Sequence, residues 1–347
     1  MVDSDINDTI GSDEYSSYSA GFFGWRESTL GLTIVHYIFA ILGIGGNFIV
    51  CLVILRIKKL HTLTNYFLLH QSAIDLLATV VFIVTFLVPE YHIESYSVHS
   101  TLYCKLIWSE YLYWALMLLS SLNLSALSLE RYFGIVHPIK HHNNFNIQKI
   151  KLIFVIEWLF SFIYLSYWTV LCDSRGEYCV ISSKNEFWSK VGTFFDSFFL
   201  NIMPLGIMLF SYIKIFGALK NRVKPEEIKS SSQDKDNKKT INHWDRAKRN
   251  VVRTLCIVFV SFAICWFPST VYDLLYVFGV PLNYDDTFYL IAVLFALFNM
   301  CVNPVIYTLQ YEQFRKGLKQ VFLCNKSNQP GGNSTVATTS SQHNIDG

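Results

Sequence analysis

The chain has 347 residues and a formal net charge of +2, and its composition is 52% hydrophobic but only 16% charged. This balance excludes a protein whose whole surface faces water, and it suits the interior of a membrane. The sequence has neither a His-Glu-x-x-His metal-binding motif nor a phosphate-binding glycine loop, and no polar segment is long enough for a catalytic domain. We therefore do not expect an enzyme.

Residues 1–30 are polar and acidic and show little hydrophobic periodicity, so we predict a mobile tail. Within them Asn7-Asp8-Thr9 is an N-glycosylation sequon. The segment lacks a basic start, a short apolar core and a small-residue cleavage site, so we expect no cleaved signal peptide.

Residues 31–310 contain seven apolar runs of about the 20 residues that a helix needs to cross a hydrocarbon core. Because a bilayer offers the backbone no hydrogen-bond partner, runs of this length predict helices rather than a β-barrel. The predicted fold class is an all-α membrane protein, a seven-transmembrane helix bundle. The runs are Gly31 to Ile57, Tyr66 to Val88, Leu106 to Val136, Leu152 to Leu171, Val191 to Phe216, Val251 to Gly279 and Thr287 to Leu309.

Lysine and arginine are distributed very unequally between the two sides of these runs. The side that carries the amino terminus holds five of the 28, and the other side holds 23. By the positive-inside rule the second side is cytoplasmic, so the tail with Asn7 lies outside the cell. We expect a multi-pass plasma-membrane protein with an extracellular amino terminus.

Ionisable side chains are costly inside a membrane, so those within the runs mark candidate functional sites. The second run carries Asp75 near its middle, and the third ends in Glu130-Arg131-Tyr132. Proline in a helix interior removes a hydrogen bond and bends the helix. Three runs carry such a proline: Pro204, Pro268 and Pro304.

Over residues 31–324 these motifs resemble those of the rhodopsin-like, or class A, G-protein-coupled receptors. The motifs are, run by run, Gly45-Gly46-Asn47, Asp75, Arg131, Trp158, Pro204 with Tyr212, Cys265-Trp266-Phe267-Pro268, and Asn303-Pro304-Val305-Ile306-Tyr307. The resemblance implies an extracellular ligand, a heterotrimeric G protein as cytoplasmic partner, and a sixth span that swings outward at Pro268.

The resemblance also implies roles for two sets of residues. The G-protein switch would consist of Glu130, Arg131, Tyr132, Tyr212 and Tyr307. The conformational switch would consist of Phe262, Trp266, Pro268, Pro204, Asn303 and Pro304. Lys248 stands where many relatives carry an acid that pairs with the switch arginine. This leaves Glu130 as the evident resting partner of Arg131 and predicts appreciable basal activity.

A sodium site and a disulfide are implied as well. The ligands of an allosteric Na⁺ would be Asp75, Ser120, Asn299 and Asn303, and the alternative is a polar network without the ion. Cys104 would pair with Cys179, with Cys172 as the alternative partner. Cys104 and Arg131 lie 27 residues apart, which is two more than the usual pattern of the family and leaves the alignment of the outer third span open.

The ligand is approached through the outer halves of the runs. Tyr113 stands where amine receptors carry an aspartate and Leu297 where opsins carry a lysine, so we expect neither ligand. Carboxylates and aromatic rings, which attract cations, are present instead. The candidate ligand-binding residues are Glu110, Tyr113, Asp196, Asp273, Tyr276 and Tyr289.

We predict a neuropeptide-like peptide ligand that bears Arg, Lys or a free amino terminus. The alternatives are a small non-amine molecule or a lipid, with the aromatic residues serving only packing. A membrane transporter or channel is the rival from another class, but it would call for inverted repeats that the sequence does not show.

Residues 311–324 place apolar and basic side chains at helical spacing, which predicts an amphipathic eighth helix on the inner leaflet of the lipid bilayer. Cys324 is a candidate for palmitoylation, and a free thiol is the alternative. We predict a disordered cytoplasmic tail at residues 325–347, where phosphorylation by a kinase would create a docking surface for arrestin; the alternative is an inert polar terminus. We expect no nucleic-acid partner.

Overall fold

The computed structural model describes residues 30–88, 97–175, 178–181, 186–222, 234–282 and 287–322, with the backbone alone at 221–222 and 234–251. Asn7, Cys324 and both tails lie outside the described residues. The elements are α1 (Leu30–Arg56), α2 (Leu63–Phe82), α3 (Val98–Tyr103), α4 (Tyr111–Val136), α5 (Pro138–Asn144), α6 (Ile147–Leu165), α7 (Tyr167–Leu171), β1 (Cys172–Arg175), β2 (Tyr178–Ile181), α8 (Glu186–Ser197), α9 (Met203–Arg222), α10 (Asp234–Val277), α11 (Thr287–Gln310) and α12 (Glu312–Phe322).

Within the described chain, seven helical segments are long and apolar enough to cross a membrane, so the predicted seven-helix bundle is confirmed. The sixth helix begins at Asp234, well before the apolar run from which it is predicted. The apolar run misses the first turns of the helix because they are polar. The seven spans are Leu30–Arg56, Leu63–Leu87, Val98–Val136, Ile147–Leu171, Glu186–Lys220, Val252–Val277 and Thr287–Gln310.

The third span is the axis of the bundle. In its most apolar stretch 72% of the residues are buried, the largest fraction among the seven. Its lower part, α4, packs against α2, α6 and α9. The span is therefore surrounded by protein rather than lipid, which explains how it tolerates the polar residues that lower its hydropathy.

The third span is interrupted at Ser109 and Glu110. A π-helical turn, Cys104–Trp108, precedes the break, and Glu110 has a left-handed backbone with φ of 58°. A wide turn and a break together absorb extra residues, so we assign the two-residue excess between Cys104 and Arg131 to this segment. Cys104 consequently still reaches its partner in the following loop.

The predicted disulfide between Cys104 and Cys179 is confirmed. Cys172, the alternative partner, is a buried free thiol, and burial raises its pKa to about 12. Cys172 begins β1, which pairs antiparallel with β2, so that Cys179 lies opposite Ser174. We call this end of the bundle the disulfide end and the opposite end, with the switch arginine, the Arg131 end.

The eighth helix, α12, is also present and packs on the Arg131 end of the first span. Phe314 is almost completely buried, and a Cβ added at Gly317 would lie 3.1 Å from a Leu60 methyl group. Tyr311 donates a hydrogen bond of 2.9 Å to the Asn65 side chain. The apolar face of the amphipathic helix is thus covered in part by protein.

The left-handed residue in the third span gives a testable prediction. A left-handed backbone costs a residue with a Cβ about 1–2 kcal/mol, whereas glycine adopts it freely. Glu110→Gly and Glu110→Ala both remove the carboxylate that accepts a hydrogen bond from Trp114. We expect the glycine variant to be the more stable of the two by about 1 kcal/mol, measured by thermal unfolding of the purified proteins. Equal stabilities would show that the backbone of Glu110 carries no strain.

Candidate functional site

A cavity of about 900 Å³ opens at the disulfide end between the third to seventh spans. Of the predicted ligand-binding residues, four line it: Asp196, Asp273, Tyr276 and Tyr289. Among its described lining residues there are two carboxylates and no Lys, Arg or His. The cavity is therefore acidic and aromatic, as the sequence predicts.

Asp196 is held in place by the fourth span. Its carboxylate accepts hydrogen bonds from the Tyr164 hydroxyl at 3.1 Å, from the Trp168 indole at 3.3 Å and from the Tyr167 hydroxyl. Sequence reasoning missed these three donors, although their spacing of three and four residues places them on one helix face. Since its oxygens already have three donors, Asp196 is poorly placed to take a further cation.

Asp273, on the sixth span, is much less occupied. Its carboxylate lies near the Ser197 hydroxyl, which makes no hydrogen bond within the described chain, and close enough to Asp196 to feel its charge. Two carboxylates near each other, one of them with a single hydroxyl neighbour, create a local excess of negative charge. A positively charged ligand group would relieve this repulsion.

Two predicted ligand residues, Glu110 and Tyr113, do not reach this cavity. They line a separate space of about 250 Å³ between the first, second, third and seventh spans, beside His36. Tyr113 is 1% exposed, and its ring packs edge-on against Phe86. The Glu110 and Tyr113 side chains therefore face the first, second and seventh spans. Trp114 lines both spaces.

The floor of the large cavity is formed by Trp266. This residue is 1% exposed, and its ring lies 6.0 Å from that of Phe262 and 6.4 Å from that of Trp114. Its indole nitrogen has no hydrogen-bond partner among the described residues. Pro268 lies within the same helix half a turn away. A ligand that presses on this ring would act directly on the bend of the sixth span.

The other two prolines lie at comparable positions. Pro304 lies inside the seventh span, and Pro204 follows the π-helical turn Phe198–Ile202 in the fifth. All three bends predicted from proline therefore lie inside spanning segments.

The centre of the bundle contains a buried polar cluster around Asp75. Its carboxylate accepts hydrogen bonds from the Ser120 hydroxyl, the Asn303 amide and the Gln71 amide at 3.1, 3.1 and 3.0 Å. Asn299 is also buried, but its amide nitrogen has no hydrogen-bond partner in the described part of the chain. The structure therefore joins three of the four predicted sodium ligands and adds Gln71, which sequence reasoning missed.

At the Arg131 end, Glu130 is fully buried and pairs with the neighbouring Arg131. The same carboxylate also lies 2.9 Å from the His141 ring nitrogen and 3.4 Å from the Thr64 hydroxyl. The expected partner of the switch arginine is thus in place. His141 and Thr64 carry no sequence signal, because they come from α5 and the second span.

The three switch tyrosines make other contacts. Tyr212 is 3.2 Å from the Ser128 hydroxyl, and Tyr132 is 3.1 Å from a ring nitrogen of His137. The Tyr307 hydroxyl has no hydrogen-bond partner among the described residues. Arg131 is therefore held by Glu130 and not by the tyrosines in this conformation. The Lys248 side chain lies outside the described residues.

Comparison with known proteins matches residues 46–307 to the model of the seven-transmembrane receptors of the rhodopsin family. Galanin receptor 2b of Danio rerio is 30% identical over 84% of this chain and 75% of its own length. Galanin receptor type 1 of Rattus norvegicus is 31% identical, with coverages of 87% and 85%. The substance-P receptor of Aquarana catesbeiana is 27% identical, with coverages of 84% and 70%.

His141, the second partner of the Glu130 carboxylate, gives a testable prediction about thermal stability. His141→Phe keeps the ring that stacks on Phe145 but removes the nitrogen beside Glu130. A hydrogen bond to a buried charged group contributes about 1–3 kcal/mol, so we expect this variant to unfold at a lower temperature. His142→Phe is the matched control, because His142 is exposed. Equal losses in the two variants would contradict a specific role for His141.

Proposed function

The chain belongs to the rhodopsin family of seven-transmembrane receptors, and from this premise we propose that it binds an extracellular peptide with a basic group and activates a heterotrimeric G protein. Its relatives are peptide receptors rather than enzymes. The acidic cavity at the disulfide end is the observation that carries the proposal.

The shape and chemistry of the cavity support a peptide ligand. It opens between five spans at the disulfide end, so a peptide terminus or a side chain can enter it. Besides the two carboxylates it offers the Asn201 side-chain oxygen and the Trp266 indole hydrogen, both without partners among the described residues. A cavity lined by these groups binds a cation, a hydrogen-bond donor and a hydrogen-bond acceptor of the same ligand.

We place the disulfide end outside the cell and the Arg131 end in the cytoplasm. The bias of 23 against five basic residues supports this orientation. The disulfide between Cys104 and Cys179 supports it too, because disulfides persist in oxidising compartments. The ligand cavity then faces the extracellular space, and Arg131 faces the G protein.

Signal transfer in this proposal is a shift between two conformations. The described conformation has Arg131 paired with Glu130 and Trp266 packed over Phe262. A ligand that binds better when Trp266 moves favours the bent sixth span, in which Arg131 is released. Driving the equilibrium from 1:99 to 99:1 takes a preference of about 5.5 kcal/mol. A desolvated ion pair together with aromatic contacts supplies energies of this order.

The proposal is tested with cells that express the chain together with sensors for each class of G protein. Synthetic galanin, substance P and fractionated peptide extracts are applied, and every active peptide is compared with a copy whose basic groups are acetylated or replaced. We expect at least one basic peptide to promote nucleotide exchange and its neutral copy to be much weaker. Ion flux without nucleotide exchange would identify a transporter or channel instead.

The two cavity carboxylates are expected to respond differently to removal of their charge. Asp273→Asn should lower the potency of a basic peptide about 10- to 100-fold, since losing one partner of a desolvated charge pair costs about 2 kcal/mol or more. Asp196→Asn is the matched variant, and it should lower thermal stability more than potency, because Asp196 accepts three internal hydrogen bonds. Concentration–response curves and unfolding temperatures separate the two effects. A larger loss of potency in Asp196→Asn would reverse the assignment.

A further inference from the structure

A chain of hydrogen bonds leads from the fourth span to the centre of the bundle. The Trp158 indole nitrogen lies 3.0 Å from His70 Nε2, and His70 Nδ1 lies 3.0 Å from Asn123 Oδ1. Asn123 Nδ2 then donates to Gln71 Oε1 at 2.7 Å, and Gln71 Nε2 donates to Asp75 Oδ1 at 3.0 Å. Four side chains thus connect the fourth span to Asp75 without a gap.

The direction of this chain is fixed by its first member. An indole N–H can only donate, so His70 Nε2 must accept, and the ring hydrogen is left on Nδ1. Nδ1 therefore donates to the Asn123 oxygen, and the Asn123 amide nitrogen points the other way. The carbonyl oxygen of Phe67, which can only accept, lies 3.2 Å from that nitrogen and requires the same orientation. Gln71 must in turn present its NH₂ group to Asp75.

Glu157 supports the same direction. Its carboxylate is buried, and one oxygen lies 3.8 Å from His70 Nδ1. An acceptor oxygen on that side of the ring favours a hydrogen at Nδ1 over a lone pair. The polarity set by the Trp158 indole is therefore reinforced from the fourth span.

The NH₂ group of Gln71 lies between Asp75 and Ser120, whose oxygens an ion at this site would need as ligands. It donates both to Asp75 Oδ1 and to the Ser120 hydroxyl, which itself donates to Asp75 at 3.1 Å. Asn303 presents its amide nitrogen, not its oxygen, to the other carboxylate oxygen. Hard cations bind oxygen lone pairs. Here those lone pairs face N–H and O–H groups, so the residues present do not fit a sodium ion.

We propose that the amide of Gln71 takes the place of the cation at this site. Its two N–H groups bridge Asp75 and Ser120 and so join the second span to the third. The arrangement of the bundle around Asp75 is then held by the chain itself and is independent of sodium. This inference goes beyond the proposed function and does not depend on it, because it concerns the ligand-free protein.

The test compares the thermal unfolding of the purified full-length chain in sodium chloride and in choline chloride at equal ionic strength. For the native sequence we expect the same unfolding temperature in both salts. Gln71→Leu removes the amide at similar volume and frees the oxygens of Asp75 and Ser120, so this variant should unfold several degrees higher in sodium than in choline. Adding Asp75→Asn to Gln71→Leu should abolish the difference.

Two results would overturn the proposal. One is stabilisation of the native sequence by sodium, which would mean that the ion displaces the amide. The other is a Gln71→Leu variant that folds but remains indifferent to sodium. If Gln71→Leu does not fold, Gln71→Glu provides the same test, since it keeps the size of the side chain and replaces the NH₂ group by an oxygen ligand. Indifference of a folded Gln71→Glu variant to sodium would likewise contradict the proposal. No receptor ligand is needed, so the result is independent of the peptide experiments.

Discussion

Hydrocarbon offers a polar side chain no hydrogen-bond partner, so a polar group within the spans is costly unless the protein itself supplies one. The third span shows how far this constraint orders the molecule. Ser120 and Asn123 bond to the second span, Ser128 to the fifth, and Glu130 to α5 and the second. The span with the poorest hydropathy among the seven is consequently the one that holds the others in register.

The same constraint explains what the sequence predicts well. Length and apolar content are local properties, so seven spans and the amphipathic eighth helix follow from them directly. The cost of burying Asp75 and Glu130 singles out each as a site. The partners of these two residues are harder to predict. His141 comes from α5, and only the packed bundle brings it close to Glu130. Gln71 lies one turn before Asp75 on the same helix, but its contact with Ser120 depends on how the third span packs. The two extra residues between Cys104 and Arg131 indicate an irregularity in the third span. They do not reveal that it consists of a π-helical turn and a left-handed Glu110, because no characteristic residue type marks either. Sequence reasoning places Glu110 and Tyr113 in the ligand cavity, whereas in the packed bundle they line the smaller space beside His36.

Asp196 and Asp273 show a second limit of prediction from the sequence. The two carboxylates are equivalent in composition, and both line the cavity. What separates them is that the fourth span directs Tyr164, Tyr167 and Trp168 at Asp196, whereas Asp273 has the Ser197 hydroxyl. A residue type predicts that a charge is present. The number of donors around it decides whether that charge is structural or available.

The same criterion ranks four acidic groups of the bundle by availability. Glu130 is matched by Arg131 and His141, Asp75 by three hydrogen-bond donors, and Asp196 by three more. Asp273 also lines the open cavity, but its polar neighbour, the Ser197 hydroxyl, makes no hydrogen bond among the described residues. Because the chain itself supplies hydrogen-bond donors at the centre and a cation at the Arg131 end, an external cation gains most at the disulfide end. Asp273 lies two turns above Trp266 on the same helix, so a cation bound there acts on the element that bends at Pro268.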